Sequence, residues 1–123
     1  MPLNNAVRAF GLFLALLAPS ALVAQEAPAP NSAAWMLPGC QAAVANPDEA
    51  GFRQGMCAGS ISTLLFLGDA LPDDYRICRP QGAVLHDALR IVVRHIEAQP
   101  ARGHENFNGL AMEALSAAWP CRS

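Results

Sequence analysis

Four cysteines are the side chains of this sequence with the most chemistry open to them, since a cysteine can act as a nucleophile, a metal ligand or a disulfide partner. Successive cysteines lie 17, 21 and 43 residues apart, at Cys40, Cys57, Cys78 and Cys121. A metal site usually needs close pairs such as C-x-x-C, and this spacing provides none. Because short exported chains with an even cysteine count commonly pair them, we expect two disulfides and no catalytic thiolate.

The histidines and hydroxyl side chains show no catalytic pattern. The histidines are nine residues apart, which is not a helical ligand spacing. His104-Glu105 matches the start of the metalloprotease motif H-E-x-x-H, but the second histidine of that motif is missing. The hydroxyl residues of the predicted helices lack a G-x-S-x-G turn. We therefore expect no metal, no cofactor and no enzymatic activity.

Residues 1–24 have the organisation of a secretory signal peptide. Arg8 is their only charged residue, an apolar run follows over residues 10–18, and small residues precede the expected cleavage after Ala24. The alternative is a membrane anchor, but this run is shorter than the ~20 residues that cross a bilayer. We expect export to the periplasm and no membrane anchor after cleavage.

The rest of the chain divides into a short spacer and one domain. Residues 25–33 are rich in proline and alanine and predict a disordered spacer, which leaves residues 34–123 as the folded domain. The mature chain carries seven arginines and no lysine against ten acidic residues, a net charge of −3. A mildly acidic protein lacks the basic face that supplies most of the affinity for nucleic acid, so we expect no such partner.

Apolar residues at helical spacing predict an all-α fold, a small disulfide-stabilised bundle of about four helices. The clearest helix covers residues 104–119 and is ended by Pro120. Another covers residues 82–99, between Pro80 and Pro100. Its polar face could bind a partner, but ion pairs within the helix, between residues 87 and 90 and between residues 94 and 97, are the commoner outcome.

Two further helices precede these. Residues 51–70 are apolar nearly all round, which predicts the central and most buried helix of the bundle. Gly55 and Gly59 lie on one face of it, and because each glycine weakens a helix, we expect another backbone to pack closely there. A shorter helix is predicted within residues 35–45, and we expect its first turn at Pro38. The alternative is that the helix begins at Ala33 and Pro38 interrupts it.

The expected geometry favours one of the three possible disulfide pairings. If the first two helices form an antiparallel hairpin, Cys40 and Cys57 lie at similar distances from its turn. If the last three helices run up, down and up, Cys121 lies beside Cys78. We therefore predict the pairs Cys40 with Cys57 and Cys78 with Cys121.

Several short motifs, in this order and spacing, resemble the Rap/Tai family of immunity proteins associated with type VI secretion. The motifs are GMCAG at 55–59, CRP at 78–80, VVRHIEAQP at 92–100, AL at 114–115 and WPC at 119–121. The resemblance covers about residues 40–121. It implies a periplasmic helical homodimer that binds a cognate peptidoglycan-cleaving amidase with a Cys-His site and blocks its substrate cleft.

The resemblance does not locate the toxin contacts, because the matched cysteines, glycines and prolines belong to the scaffold. We predict a contact at the polar loop of residues 69–76, where Asp73 and Asp74 supply charge and Tyr75 supplies an aromatic anchor. The alternative is that this loop is a solvated connector. The alternative function is a small periplasmic chaperone or an envelope structural protein without a toxin partner.

Overall fold

Residues 25–122 are described by a computed structural model, and they form four α-helices. These are α1 (Ala33–Ala45), α2 (Phe52–Leu67), α3 (Leu85–Glu97) and α4 (Phe107–Ala118). Three single 3-10 turns lie between them, at Gly68–Ala70, Asp73–Tyr75 and Pro100–Arg102. The described part of the chain contains no strand, so the predicted all-α bundle is confirmed. The predicted signal peptide lies outside the described residues.

Helix α1 begins earlier than Pro38, and the predicted start at that residue is wrong. Ser32 is the N-cap, with its hydroxyl oxygen accepting a hydrogen bond from the Trp35 amide at 3.2 Å. The amide of Ala33 donates to the carbonyl of Glu105 at 2.8 Å, so the helix start is also held by the segment before α4. These contacts outweigh the loss of one helical hydrogen bond at Pro38, which lies inside the helix.

The predicted spacer also ends earlier than expected. Ser32 is 4% exposed, and the carbonyl of Asn31 accepts a hydrogen bond from the Phe107 amide at 2.9 Å. Residues 31–33 therefore belong to the folded domain rather than to a disordered segment.

The core lies where α1 packs against the three other helices. Its largest fully buried side chains include residues from every helix: Met36, Cys40, Cys57, Ile61, Val92, Phe107, Leu110 and Leu115. Helix α3 contributes a regular apolar stripe at 88, 89, 92, 93 and 96, as its amphipathic sequence predicts. No helix within the described residues is both long enough and apolar enough to cross a membrane.

Helix α2 is not the most buried helix, and that prediction is wrong. Only Cys57, Ile61 and Leu64 are buried, on the side that faces the bundle. Phe52 and Phe66 are 77% and 88% exposed on the other side. The apolar residues of α2 led to the prediction that every side of the helix is buried. Two of them, Phe52 and Phe66, are not covered by any other part of the described chain.

The close backbone approach predicted at Gly55 and Gly59 is also wrong, because a side-chain carbon added to either residue would meet nothing within 4 Å. The close approach occurs instead at Gly39, in α1. A carbon added there would lie 2.6 Å from the backbone carbonyl of Arg53. Glycine at position 39 is what allows α1 and α2 to touch beside the buried Cys40.

The ion pairs predicted within α3 do not form. Asp87 instead accepts a hydrogen bond from the Val84 amide at 2.9 Å, which satisfies a free amide at the helix start. Glu97 accepts from the side-chain amide of Gln41 at 2.8 Å and so links α3 to α1. Each carboxylate therefore accepts a hydrogen bond from an amide group instead of pairing with the exposed arginine one turn away.

Candidate partner-binding surface

Two disulfides set the frame of the site, and their pairing is the predicted one. Cys40 is bonded to Cys57, with 5.4 Å between the Cα atoms, and both residues are fully buried between α1 and α2. Cys78 is bonded to Cys121, with 4.9 Å between the Cα atoms, and both are half-buried. The second disulfide ties the chain after α4 to the segment that leads into α3.

Residues 69–76 form a loop whose two ends meet at Gly68. The Gly68 carbonyl accepts hydrogen bonds from the amides of Leu71 at 3.3 Å and Ile77 at 3.2 Å. Gly68 has a φ of +27°, and an added side-chain carbon would lie 3.0 Å from the Ile77 carbonyl. Ile77 is 2% exposed and anchors the C-terminal end of the loop in the core. The loop is therefore closed at its base and leads directly into Cys78.

The tip of this loop presents the three predicted partner-binding residues to solvent. Asp73, Asp74 and Tyr75 form a 3-10 turn, and Tyr75 is 43% exposed. Arg76 lies 3.5 Å from the Asp73 carboxylate, but both side chains are largely exposed, so their ion pair stabilises the turn only slightly. Three aspartates and one arginine give the loop a net charge of −2.

A cluster of polar side chains centred on Arg102 lies next to the loop, and no pattern in the sequence predicts it. The guanidinium of Arg102 donates two hydrogen bonds to Glu113, each 2.8 Å long, and two more to Glu105. It also donates to the side-chain oxygen of Gln99 at 2.8 Å, and His95 lies 3.1 Å from Glu113. Bidentate contacts of this kind fix the planes of both groups.

These contacts shift the acid–base properties of the cluster. The hydrogen bonds from Arg102 lower the pKa of Glu113 and of Glu105 below their ordinary value, and those same bonds raise the pKa of Arg102. Both carboxylates are therefore ionised at neutral pH. No sequence signal pointed to this cluster, because its members come from α3, the following turn and α4 and meet only in the folded chain.

Two shallow grooves join the loop to this cluster. One, of about 320 Å³, is bordered by Tyr75, Arg102, Glu105 and Glu113. The other, of about 600 Å³, is bordered by residues 73, 74, 76, 113 and 122. Because Glu113 borders both grooves, the loop tip and the cluster form one continuous polar surface, which we call the acidic-loop surface.

The three histidines are each held by a local contact. The side chain of His86 lies 3.0 Å from the Val44 carbonyl, and that of His104 lies 3.2 Å from the Ala101 carbonyl. His95 belongs to the Arg102 cluster. Among residues 25–122, no three His, Cys, Asp or Glu side chains are grouped so that they could hold a metal ion.

The predicted proline boundaries correspond to the ends of the observed helices. Pro80 precedes α3, Pro100 follows it at the start of a 3-10 turn, and Pro120 comes two residues after the last residue of α4. Pro80 and Pro120 lie in the two segments that the Cys78–Cys121 disulfide joins. Gly55 and Gly59 lie on α2, in the GMCAG motif that contains Cys57, and take no part in the acidic-loop surface.

A family model for Rap1a immunity proteins matches residues 32–121, which is nearly all of the described domain. The chain therefore belongs to the Rap1a immunity protein family. Proteins of this class bind a cognate effector protein, and the family is not known for enzymatic activity. Searches of curated proteins and of solved structures found no match to the chain.

Proposed function

We propose that this chain is a periplasmic immunity protein that binds and blocks a peptidoglycan-cleaving amidase effector of type VI secretion. The supporting observation is the acidic-loop surface in a member of an immunity family: an exposed aromatic residue between charged groups, on a loop that is closed at its base. Because the loop is already ordered, little conformational entropy is lost when it binds.

The proposed mechanism is obstruction rather than chemistry. Tyr75 acts as the anchor that enters the effector's cleft, while Asp73 and Asp74 pair with basic groups at its rim. The Arg102 cluster supports this surface from α4 and keeps Glu113 ionised beside the anchor. The chain itself performs no catalysis in this proposal.

The proposed location rests on residues 1–24 and on the disulfides. An apolar run followed by small residues is the pattern of an exported chain, and two disulfides persist in the oxidising periplasm. Family resemblance further implies that the protein acts as a homodimer, which we include in the proposal.

The test begins with the genes beside this protein's gene, among which we expect a Cys-His peptidoglycan amidase; that amidase is then purified for the assay. Wild-type protein in molar excess should abolish cleavage of purified peptidoglycan. The double variant D73A/D74A and the single variant Y75A should each weaken inhibition by at least tenfold, since each removes a contact at the centre of the surface.

The matched control is E26A/D48A, which removes the same number of acidic charges from exposed positions outside the acidic-loop surface. It should inhibit like the wild type. An amidase that stays fully active with excess folded wild-type protein would refute the proposed function. Inhibition as strong as that of the wild type by both D73A/D74A and Y75A would refute the proposed surface.

A further inference from the structure

One face of α2 is exposed along its whole length and carries no charge. It consists of six exposed residues within about a 100° arc of the helix: Phe52, Gly55, Gly59, Ser62, Thr63 and Phe66. The only charged residue of α2 is Arg53, and its guanidinium lies 4.6 Å from the ring of Trp35, turned toward α1. Surface helices normally place charged residues on their solvent face, whereas the centres of protein interfaces are depleted of charge.

The residues of this face are arranged symmetrically. Gly59 is seven residues from Phe52 and seven from Phe66, with small residues between. If two copies of α2 cross antiparallel with a two-fold axis at Gly59, each Phe52 faces Phe66 of the second copy. Gly55 likewise faces Thr63 of the second copy. A two-fold interface requires this kind of self-complementarity, whereas binding to an unrelated partner does not.

The glycines make the crossing sterically possible. A side-chain carbon added at Gly55 or Gly59 would meet nothing within 4 Å in the same chain, so neither glycine is needed for packing within the bundle. Each glycine lowers helix stability by up to about 1 kcal/mol relative to alanine. Their use is explained if the backbone of a second helix approaches here.

A groove beside this face is suited to the exposed phenylalanine of a second copy. It has a volume of about 620 Å³, and its lining includes Ala43, Ala50, Ala58, Leu85 and Leu89, with Phe52 and Gly55 at its edge. Phe66 lies on the same face as Phe52 and about 21 Å along the helix. The two-fold axis therefore carries each Phe66 to the mouth of the other chain's groove.

We propose that a second copy of this chain packs antiparallel across α2, with the two-fold axis at Gly59 and each Phe66 seated beside Phe52 of the other copy. This deepens the proposed function, because it assigns the interface of the homodimer included there. Burial of the four phenylalanines alone removes on the order of 600 Å² from water, a substantial part of a standard interface. The acidic-loop surface shares no residue with this interface.

The first test is the oligomeric state of the protein without any effector, measured by sedimentation equilibrium of material purified from the periplasm. Wild type should sediment as a dimer, and F66R should dissociate with at least a tenfold weaker dimer constant. Because Phe66 is 88% exposed in one chain, F66R should keep the helical circular dichroism spectrum. Y75R, an equivalent change at an exposed aromatic residue of the acidic-loop surface, should remain dimeric.

The second test locates the axis by crosslinking. G59C should form a disulfide between two chains on oxidation, whereas T63C alone should not, since Thr63 faces Gly55 rather than itself. Mixing G55C with T63C should restore the crosslink. Peptide mapping checks that Cys40–Cys57 and Cys78–Cys121 are intact.

A monomeric wild type, a dimeric F66R or a G59C protein that fails to crosslink would each overturn the inference. These measurements contain no amidase. They can therefore fail while the proposed inhibition holds, and inhibition can fail while they succeed.

Discussion

Arg102 and Glu113 are joined by two parallel hydrogen bonds, each 2.8 Å long, between one guanidinium and one carboxylate. The same guanidinium also binds Glu105, so a single cation connects the turn after α3 to the segment before α4 and to the middle of α4. This connection supports the base of the acidic-loop surface. It also makes the stability of the domain depend on pH in a definite direction.

Stability should fall in acid because of this cluster. Glu105 and Glu113 have a lower pKa in the folded protein than the ordinary value of 4.5. Their stabilisation is therefore present above pH 4.5 and is lost as the pH falls below it through the folded-state values. The variant R102A should be less stable at pH 7 and should show a smaller loss of melting temperature between pH 7 and about pH 3.

Thermal unfolding followed by circular dichroism measures this difference, with R79A as the control at an exposed arginine. R79A should retain the wild-type pH dependence. The assignment fails if R102A and wild type lose the same melting temperature between the two pH values.

The two disulfides should differ in their reaction with a dithiol reductant. Cys78–Cys121 is half-buried, whereas both sulfurs of Cys40–Cys57 lie in the core with no exposure, so the first should be reduced at lower reductant concentration. Closing loops of 17 and 43 residues contributes about 3 and about 4 kcal/mol, respectively, to stability. Mass spectrometry after alkylation should show carbamidomethyl groups on Cys78 and Cys121 first; labelling of Cys40 and Cys57 at the same concentration would contradict the ordering.

Gly39 should tolerate no larger side chain. The added carbon of G39A would overlap the Arg53 backbone at 2.6 Å, and because backbone on both sides must move, the variant should lose about 2 kcal/mol of unfolding free energy or more. G109A is the matched control, since an added carbon there meets nothing within 4 Å and alanine favours the helix. We expect G109A to gain about 0.5 kcal/mol in urea unfolding; a neutral G39A would show that α1 and α2 are not in close contact.

Ser32 should stabilise the start of α1. Loss of its hydroxyl in S32A removes the cap on the Trp35 amide and should cost about 1 kcal/mol in the same urea experiment. S116A removes a hydroxyl whose bond lies within α4, and should change stability by less than about 0.5 kcal/mol. Equal effects of the two substitutions would indicate that α1 begins further along the chain, as the sequence alone had predicted.

The parts of the fold that follow from local pattern were predictable, and those that depend on distant contacts were not. The helices were recognisable from apolar spacing and prolines, and the disulfide pairing followed from a hairpin geometry. The start of α1 was not predictable, because Asn31 and Ala33 are hydrogen-bonded to residues more than 70 positions away. The Arg102 cluster could not be foreseen for the same reason.

The error about α2 has a different cause. Its composition indicated apolar residues on nearly every face, and its glycines suggested a close backbone approach that the structure of one chain does not contain. Neither observation says whether the covering surface comes from the same chain. Within one chain, Phe52 and Phe66 stay exposed, and the inferred two-fold contact accounts for what the sequence pattern indicated.

Closure of the loop at Gly68 has an evolutionary consequence. Because both loop ends are fixed there, and only Leu71 among residues 69–76 packs against the core, this segment can change its side chains with little effect on folding. Under the proposed function, substitutions in this loop would change which effector is recognised while the fold of the bundle is kept. We therefore expect related chains to keep the helices and both disulfides and to differ most in residues 69–76.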